Sequence, residues 1–443
     1  MTSLNDVTEI LDRVGLTRAE TPSEMETYFD RLWPIMRSIT GDGVRETHRI
    51  LSEIVPLSTY EIPSGTEVFD WTIPPEWNFK DAYILNGRGE KIVDCKANNI
   101  QLLNYSTPFS GTMGLAELKE HLTTDPRDPD SIPYATSYYS RKWAFCVSRT
   151  FLEALPEDTY TVCVDTTLED GSLTYSDHVL EGESKQEILF TSYSCHPSLA
   201  NNELSGPLAL FFLFRRLAAM PRRRYTYRLY LGPETIGAIA YLQKMGGHFL
   251  EHLKAGYVLS CVGDEKDISY KRSRDGDSYA DTIAECAQSI MFGTGADSRD
   301  FWPTGGSDER QFCSPGFNLP FGGICRSFYG EYPEYHSSRD NKDVMSFPKL
   351  QESVDFACLC VALAELDLVF ERVTMFGELQ LGKHGLYADL VPDERKAVLW
   401  FTNLADGRHT LQQMAARSGV PFARMAKVAA LCLEKGLVRV ITD

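Results

Sequence analysis

The pattern of hydrophobic and polar positions changes character along the chain. Residues 23–55 carry apolar positions at helical spacing, as in "SEMETYFDRLWPIMRSI". From about 60 to 180 the chain instead shows short alternating runs, such as "EVFDWTI" and "YTVCVDTTL", which Gly, Pro and Asp turns separate. We therefore predict helices at the start of the chain and a β-rich domain over 60–180.

From residue 186 a strand pattern and a helix pattern alternate. "QEILFTSYS" and "RYTYRLYLG" predict strands, and the long apolar runs after them predict helices. Strands that alternate with helices predict a largely parallel sheet covered on both faces. The predicted fold class is α/β, with a discontinuous core made of residues 1–59 and 181–380 and with the β-rich domain inserted between them.

The last segment, 384–443, predicts three helices and a short strand pair. The turn "SGVP" and the ending "KGLVRVI" are typical of a winged helix. Its predicted recognition helix offers only Arg424 and Lys427 as obvious DNA contacts. We therefore favour a packing or interaction module over a DNA-binding domain.

Composition narrows the function classes. The 443 residues are 43% hydrophobic and carry a formal net charge of -18, which argues against nucleic acid or an anionic membrane as a partner. The first residues lack the features of a signal peptide, and the longest apolar run, "GPLALFFLF", is too short to cross a bilayer. The 11 cysteines are scattered without a CxxC pair, so we expect reduced thiols and a cytoplasmic location. The sequence does not decide whether the chain forms a homo-oligomer.

Four polar residues follow the predicted strands or lie in the last loop of the core: His196, Glu234, Asp264 and His336. Each alone has an ordinary structural explanation, such as a hydrogen-bonded loop residue or a first-turn carboxylate. Because parallel strands present their carboxyl ends at one edge of a sheet, the four together predict a shared site there. Two histidines and two carboxylates suit a metal such as zinc.

The order of these residues resembles the zinc aminopeptidase clan that includes bacterial leucyl aminopeptidase, glutamate carboxypeptidase and glutaminyl cyclase. The resemblance rests on His196 followed by "ANNELSG", on the strand-end Glu234, and on His336 in "YHSSRD". A closer resemblance, over nearly the whole chain, is to bacterial aminopeptidase-like proteins with a clan core, an inserted β-domain and a C-terminal winged helix. "SCHPSLANNELSG", "PETIGAIAYL" and "SRDGDSYAD" carry it.

The resemblance implies roles for these residues. His196 and Asp264 would bind one metal ion, His336 would bind the second ion of a dinuclear site, and Glu234 would be the general base. The predicted chemistry is hydrolysis of a small peptide or amide by a metal-activated water.

Three departures from the clan pattern weaken the predicted metal site. Asn202 stands where the clan has a bridging aspartate, and Thr235 stands where it has a second glutamate ligand. Ser198 replaces the aspartate that orients the first histidine. Since two anionic ligands are missing, we expect at most one zinc ion, weakly bound or absent, with Asn202 still counted among its ligands.

Other polar residues near the predicted cleft are candidates for binding the substrate. Glu203 could alternatively replace the missing metal ligand, and "SRDGDSYAD" could be only a capped helix start, which we favour. The predicted substrate-binding residues are Glu203, Thr235, Arg274, Asp308, Arg310, Tyr335 and Arg339.

Two other functions remain open at this stage. An enzyme of the same fold could form or cyclise amides in a biosynthetic pathway, or the chain could be a non-catalytic binding protein. The sequence has no GxGxxG, P-loop or GxSxG motif, which argues against nucleotide binding and serine-hydrolase chemistry.

Overall fold

The structure is a computed structural model that describes residues 4–293, 295–386 and 392–441. The strands are β1 (Ser58–Pro63), β2 (Glu67–Val68), β3 (Trp71–Thr72), β4 (Glu76–Leu85), β5 (Lys91–Asp94), β6 (Phe109–Gly114), β7 (Leu122–Thr123), β8 (Phe145–Cys146), β9 (Thr159–Glu169), β10 (Ser172–Leu180), β11 (Glu187–Tyr193), β12 (Thr226–Gly232), β13 (Leu253–Leu259), β14 (Ser269–Lys271), β15 (Ser298–Arg299), β16 (Phe321–Cys325), β17 (Val369–Arg372), β18 (Asp406–Thr410) and β19 (Val438–Ile441).

The α-helices are α1 (Leu4–Val14), α2 (Pro22–Leu32), α3 (Asp42–Leu51), α4 (Leu115–Lys119), α5 (Arg149–Ala154), α6 (Ser205–Ala219), α7 (Ile236–His252), α8 (Tyr279–Phe292), α9 (Glu309–Phe312), α10 (Phe347–Leu366), α11 (Pro392–Leu404), α12 (Leu411–Ser418) and α13 (Phe422–Glu434). Short 3-10 turns cover Asn99–Gln101, Lys342–Val344 and Leu381–His384, and a π-helical turn covers Ala200–Leu204.

A mixed eight-stranded sheet forms the centre of the molecule, in the order β1-β10-β12-β11-β13-β16-β14-β15. The middle strands β12, β11, β13 and β16 are parallel neighbours. Antiparallel pairs join β1 to β10, β10 to β12 and β14 to β16, and the edge strand β15 is parallel to β14. Every residue of β11 and β12 is buried, as expected for central strands covered on both faces. The predicted α/β class with a mostly parallel central sheet is therefore confirmed.

Two hydrophobic cores lie on the two faces of this sheet. Ile188 and Phe190 of β11 point into the core formed with α2, α6, α8 and α10. Leu189 and Tyr193 point into the core shared by α7 and the strands of the inserted segment. The alternation follows from the period of two along a strand. Because β11, β12, β13 and β16 run parallel, the loops after them lie at one edge of the sheet.

The inserted segment forms a four-stranded antiparallel sheet, β5-β4-β9-β6, beside the central one. Strands β1 and β10, at the two ends of the predicted 60–180 domain, pair within the central sheet instead. Alternating strands at the ends of an insertion cannot be assigned to one sheet or the other from their pattern alone, because both sheets have the same period.

The C-terminal winged helix packs α11, α12 and α13 against the sheet β18-β17-β19. It includes β17, which lies before the predicted start at 384, because β17 pairs with both wing strands. The predicted 384–443 domain also contains residues 387–391, 442 and 443, which lie outside the described residues. Gln412 joins this domain to the core, since its amide N–H donates to Asp367 Oδ1 (2.9 Å) and its side chain donates to the Thr282 carbonyl (2.8 Å).

The two basic residues of the predicted recognition helix face acidic residues of the same domain. Arg424 lies 3.3 Å from Asp393, and Lys427 lies 3.8 Å from Glu394. Across the described ranges, no helix combines the length and apolarity needed to cross a membrane.

Candidate active site at the edge of the sheet

His196 follows β11 and lies buried at the carboxyl edge of the sheet. Its Nδ1 is 2.7 Å from Glu203 Oε2, and its carbonyl accepts a hydrogen bond from Arg37 Nε at 3.0 Å. We expected Glu203 to contact the substrate or a metal. Instead, the π-helical turn directs its fully buried carboxylate onto the back of the imidazole, where it orients the ring.

Glu234 follows β12 and is held by a strained backbone turn. The next residue, Thr235, has φ 64° and ψ −76°, and the Ile236 amide donates to the Glu234 carbonyl at 2.8 Å. This is a γ-turn of the rare, strained kind. It leaves Glu234 Oε2 at 3.7 Å from His196 Nε2, so the carboxylate faces the ring nitrogen that Glu203 does not occupy.

Ser307 contacts Glu234 and is itself well fixed. Its hydroxyl donates to Glu234 Oε1 at 2.8 Å, and its amide donates to Glu309 Oε2 at 2.9 Å. Glu309 forms a fully buried ion pair with Lys271 at 2.8 Å. Burial raises the pKa of Glu234, which favours a role as a general base near neutral pH.

Asp308 and Arg310 make hydrogen bonds next to Glu234 and Ser307. Asp308 is buried and accepts from the Thr235 amide at 2.7 Å, while its second oxygen has no hydrogen-bond partner. Burial and the charge of Glu234 raise the pKa of Asp308. Arg310 donates from Nε to the Ser307 carbonyl at 3.1 Å. All three predicted substrate-binding residues of this group, Thr235 included, therefore help to position Glu234.

His336 lies next to His196, with 5.6 Å between the ring centroids. Tyr335 stacks on His336 at 3.9 Å, and Tyr134 meets both imidazoles edge-on at 4.9 Å and 5.2 Å. Burial lowers the pKa of His336 to about 3, so its ring is neutral. Sequence reasoning missed Tyr134, because it comes from the inserted segment and no local pattern marks it.

Asp264, a predicted metal ligand, shares no hydrogen bond or ion pair with His196 or Glu234 in the described structure. One of its oxygens accepts from the Lys266 amide of its own loop at 2.9 Å, and the other accepts from Asn201 Nδ2 at 2.8 Å, in the π-helical turn that also carries Asn202 and Glu203. Strand β13 ends at Leu259, so Asp264 lies in the loop that follows it and not at the strand end. Cys261 lies nearer the end of the strand. Its position directly after the apolar run "GYVLS" is the sequence signal that could have identified it.

Asn202 and Cys261 form a neutral cluster. The Asn202 side-chain amide donates to the Tyr193 hydroxyl at 3.1 Å and lies 3.7 Å from Cys261 Sγ. Burial raises the pKa of Cys261 to about 12, so the thiol stays protonated. Asn202 Oδ1 is buried and has no hydrogen-bond partner.

Asp340, the aspartate of "YHSSRD", fixes the loop that carries Asn202. Its carboxylate accepts from the amides of Asn201 at 2.7 Å and Asn202 at 2.9 Å. Burial raises the pKa of Asp340 to about 6. Of the residues in and around "YHSSRD", only Tyr335, His336 and Arg339 were predicted to have a role.

Two predicted substrate-binding arginines lie apart from these contacts. Arg339 is half exposed and bonds Asp128 of the inserted segment at 2.9 Å, and Arg274 is exposed. In the described structure, no hydrogen bond joins either arginine to His196 or Glu234. Ser278 caps α8 in a capping box, which supports the capped-helix explanation of "SRDGDSYAD".

Backbone strain is concentrated around the site. Ser198, Thr235, Cys261 and His336 have φ between 50° and 64°, a region that L-residues other than glycine rarely adopt. Each flanks or belongs to the candidate site. Such strain persists where the surrounding structure over-determines a functional geometry.

Potential metal ligands cluster around His196. Among the described residues, the one group of three His, Cys, Asp or Glu side chains with ligand atoms within 4.8 Å of one another is Cys195, His196 and Glu203. Burial raises the pKa of Cys195 to about 11, and Glu203 already binds the imidazole, so this group fixes the ring. Two further potential ligand atoms belong to the site: His196 Nε2, which faces Glu234 at 3.7 Å, and the buried Asn202 Oδ1, which has no hydrogen-bond partner.

The fold and the site together define an aminopeptidase-like α/β protein with a C-terminal winged helix. The chain belongs to the family described as a domain of unknown function, DUF4910, whose model matches residues 27–367. A winged helix-turn-helix model matches residues 369–440.

One similar protein and one similar crystal structure come from Clostridium acetobutylicum. A protein named for polysaccharide biosynthesis with an aminopeptidase-like domain is 41% identical over 418 residues, which cover 93% of this chain and 95% of that one. A crystal structure named as a peptidase is 39% identical, with a TM-score of 0.91 over 99% of this chain and 100% of that one.

More distant structures share the fold alone. A zinc aminopeptidase from Bacillus subtilis gives a TM-score of 0.56 at 13% identity, over 79% of this chain and 96% of that one. An aminopeptidase from Aneurinibacillus sp. strain AM-1 gives 0.52 at 15% identity, over 80% and 96%.

Proposed function

We propose that the chain hydrolyses a small amide or peptide at the carboxyl edge of its central sheet, with Glu234 as the general base. The position of Glu234 carries the proposal. Its carboxylate faces His196 Nε2 and accepts from Ser307, and the γ-turn at Thr235 holds it there. A half-buried carboxylate with a raised pKa suits removal of a proton from an attacking water.

Glu203 and Tyr134 orient and cover the histidines next to this base. Glu203 binds His196 Nδ1, so it fixes the tautomer and leaves Nε2 facing the site. Tyr134 covers both histidines from the inserted segment, which limits the space above them. This cover favours a small substrate over a folded protein.

One zinc ion fits this site in our proposal, and His196, Asn202 and His336 would hold it. When bound, the ion would supply Lewis-acid polarisation of the substrate carbonyl. Since Asn202 and Thr235 replace two anionic ligands, the ion would be held weakly enough for a chelator to remove it.

Amide formation in a biosynthetic pathway is the second candidate. The observation that favours it is the name of the Clostridium acetobutylicum relative, which places that protein in polysaccharide biosynthesis. The same base would then deprotonate an attacking amine instead of a water. Product analysis separates the two candidates, because hydrolysis yields an acid whereas acyl transfer yields a new amide.

The test is Glu234→Gln, assayed on a panel of aminoacyl amides with and without an added amine. The change keeps the shape of the side chain and removes its basicity. Turnover should fall by roughly 10²–10⁴-fold. Glu434→Gln, on the exposed end of α13, is the matched control and should leave turnover unchanged. Full activity of Glu234→Gln would remove Glu234 from the mechanism.

A further inference from the structure

A cavity of about 330 Å³ lies in the inserted segment, outside the contacts described so far. Tyr105, Tyr138 and Tyr139 line it, together with the apolar side chains of Ile73 and Leu168. The charged residues that border it, Arg141 and Asp170, are exposed. The cavity is therefore apolar and aromatic inside, and its charges lie at the edge that faces water.

One hydrogen bond connects this cavity to the candidate active site. The hydroxyl of Tyr138 lies 2.8 Å from the hydroxyl of Tyr134. Tyr134 in turn meets the rings of His196 and His336 edge-on. Tyr138, which lines the cavity, and Tyr134, which contacts both histidines, therefore link the cavity to the candidate active site.

Exposed aromatic rings mark the entrance. Tyr139 is 56% exposed and packs edge-on against Trp71, which is 40% exposed, at 5.6 Å between centroids. Large aromatic side chains left in water beside an apolar cavity are typical of a binding site. Rigid aromatic walls favour a ring as the ligand, since stacked and edge-on ring pairs are favourable beyond their buried area.

We propose that this cavity binds an uncharged aromatic side chain of the amide substrate. The proposal rests on the proposed amide chemistry, which it deepens by naming the substrate class. Size agrees with it, because a cavity of about 150 Å³ holds a benzene ring, and this one leaves room for a ring and the atoms that link it to the amide. A charged side chain would lose its hydration there without a buried partner.

The test is a binding measurement on the full chain carrying Glu234→Gln, so that turnover does not interfere. Calorimetry would compare L-phenylalaninamide, L-leucinamide and glycinamide. Burial of the ring should make L-phenylalaninamide bind at least about tenfold more tightly than glycinamide, and more tightly than L-leucinamide. Leu168→Trp fills the cavity, and Tyr139→Ala removes one wall at an exposed position where misfolding is not expected. Each should reduce the preference for the aromatic amide about tenfold.

Leu433→Trp, at an exposed position of the winged helix, is the control for the tryptophan and should change nothing. Equal binding of L-leucinamide and L-phenylalaninamide would overturn the proposal, and so would an unchanged preference in both cavity variants. If the unmodified chain turns over no amide, yet Leu168→Trp still blocks aromatic binding, the proposed function fails while the cavity assignment stands.

Discussion

The candidate active site and the winged helix differ in two features: which residues adopt a positive φ, and whether charged side chains are buried. Left-handed backbone at the site falls on non-glycine residues, including the β-branched Thr235. In the described part of the winged helix, 392–441, it falls on Gly407, Gly419 and Gly436. Charged side chains at the site are buried, as Arg37 and Glu203 are, whereas the ion pairs of the winged helix lie at its surface.

The difference indicates that the candidate site keeps a particular side-chain geometry at a cost in stability, whereas the winged helix avoids that cost. Glycine adopts a positive φ without steric cost, so the winged helix ends its helices without strain. Buried charges and strained turns cost free energy, and the site keeps both. Substitutions matched between the two regions test this contrast directly.

The largest effect should come from Glu203→Gln. The change leaves the buried guanidinium of Arg37 without its nearby negative charge, and breaking a buried pair costs about 3–5 kcal/mol. Urea denaturation measures the loss in the free energy of unfolding. Asp393→Asn removes the exposed partner of Arg424 and should cost less than about 1 kcal/mol. Equal losses of unfolding free energy in Glu203→Gln and Asp393→Asn would contradict the proposed difference between the two regions.

Asn202→Asp should strengthen metal binding. It places an anionic oxygen at the buried position where Asn202 Oδ1 has no hydrogen-bond partner, at nearly the same side-chain volume. We expect zinc affinity to rise at least about tenfold, or 1.4 kcal/mol. Competition with a chromophoric chelator measures this, and Asn403→Asp, exposed on α11, is the control. Two tightly bound zinc ions in the unmodified protein would contradict this account.

Two backbone substitutions should have effects of opposite sign. Thr235→Gly removes a β-branched residue from a γ-turn and should raise the free energy of unfolding by about 1 kcal/mol, less the cost of a more flexible unfolded chain. Gly419→Ala places a Cβ at φ 65° after α12 and should lower it by about 1 kcal/mol. Thermal or urea unfolding reports both, and a loss of stability in Thr235→Gly would show that the turn is not strained.

The smallest effect concerns DNA. Because Arg424 and Lys427 face Asp393 and Glu394, we expect duplex DNA to bind no better than non-specifically, with a Kd of about 10⁻⁴ M or weaker at physiological salt. Fluorescence anisotropy with a labelled duplex measures it. Nanomolar, sequence-selective binding would mean that the winged helix is a DNA reader and not a packing module.

The sequence by itself determined the type and order of the main elements and the edge at which the site lies. Continuous apolar runs such as "EILFTSY" mark central strands, and the residues after them, His196 and Glu234, come together because parallel strands share a carboxyl edge. These inferences succeed because the periodicity of burial is a local property of the chain.

The tertiary structure decided where the loop side chains point. Glu203 contacts His196 from a π-helical turn, Asp264 accepts a hydrogen bond from Asn201 of the same turn, and Cys261 contacts Asn202. Tyr134 reaches the site from a segment inserted more than fifty positions earlier in the chain. Side-chain direction in loops depends on individual φ and ψ values and on packing between distant segments, and neither leaves a period in the sequence.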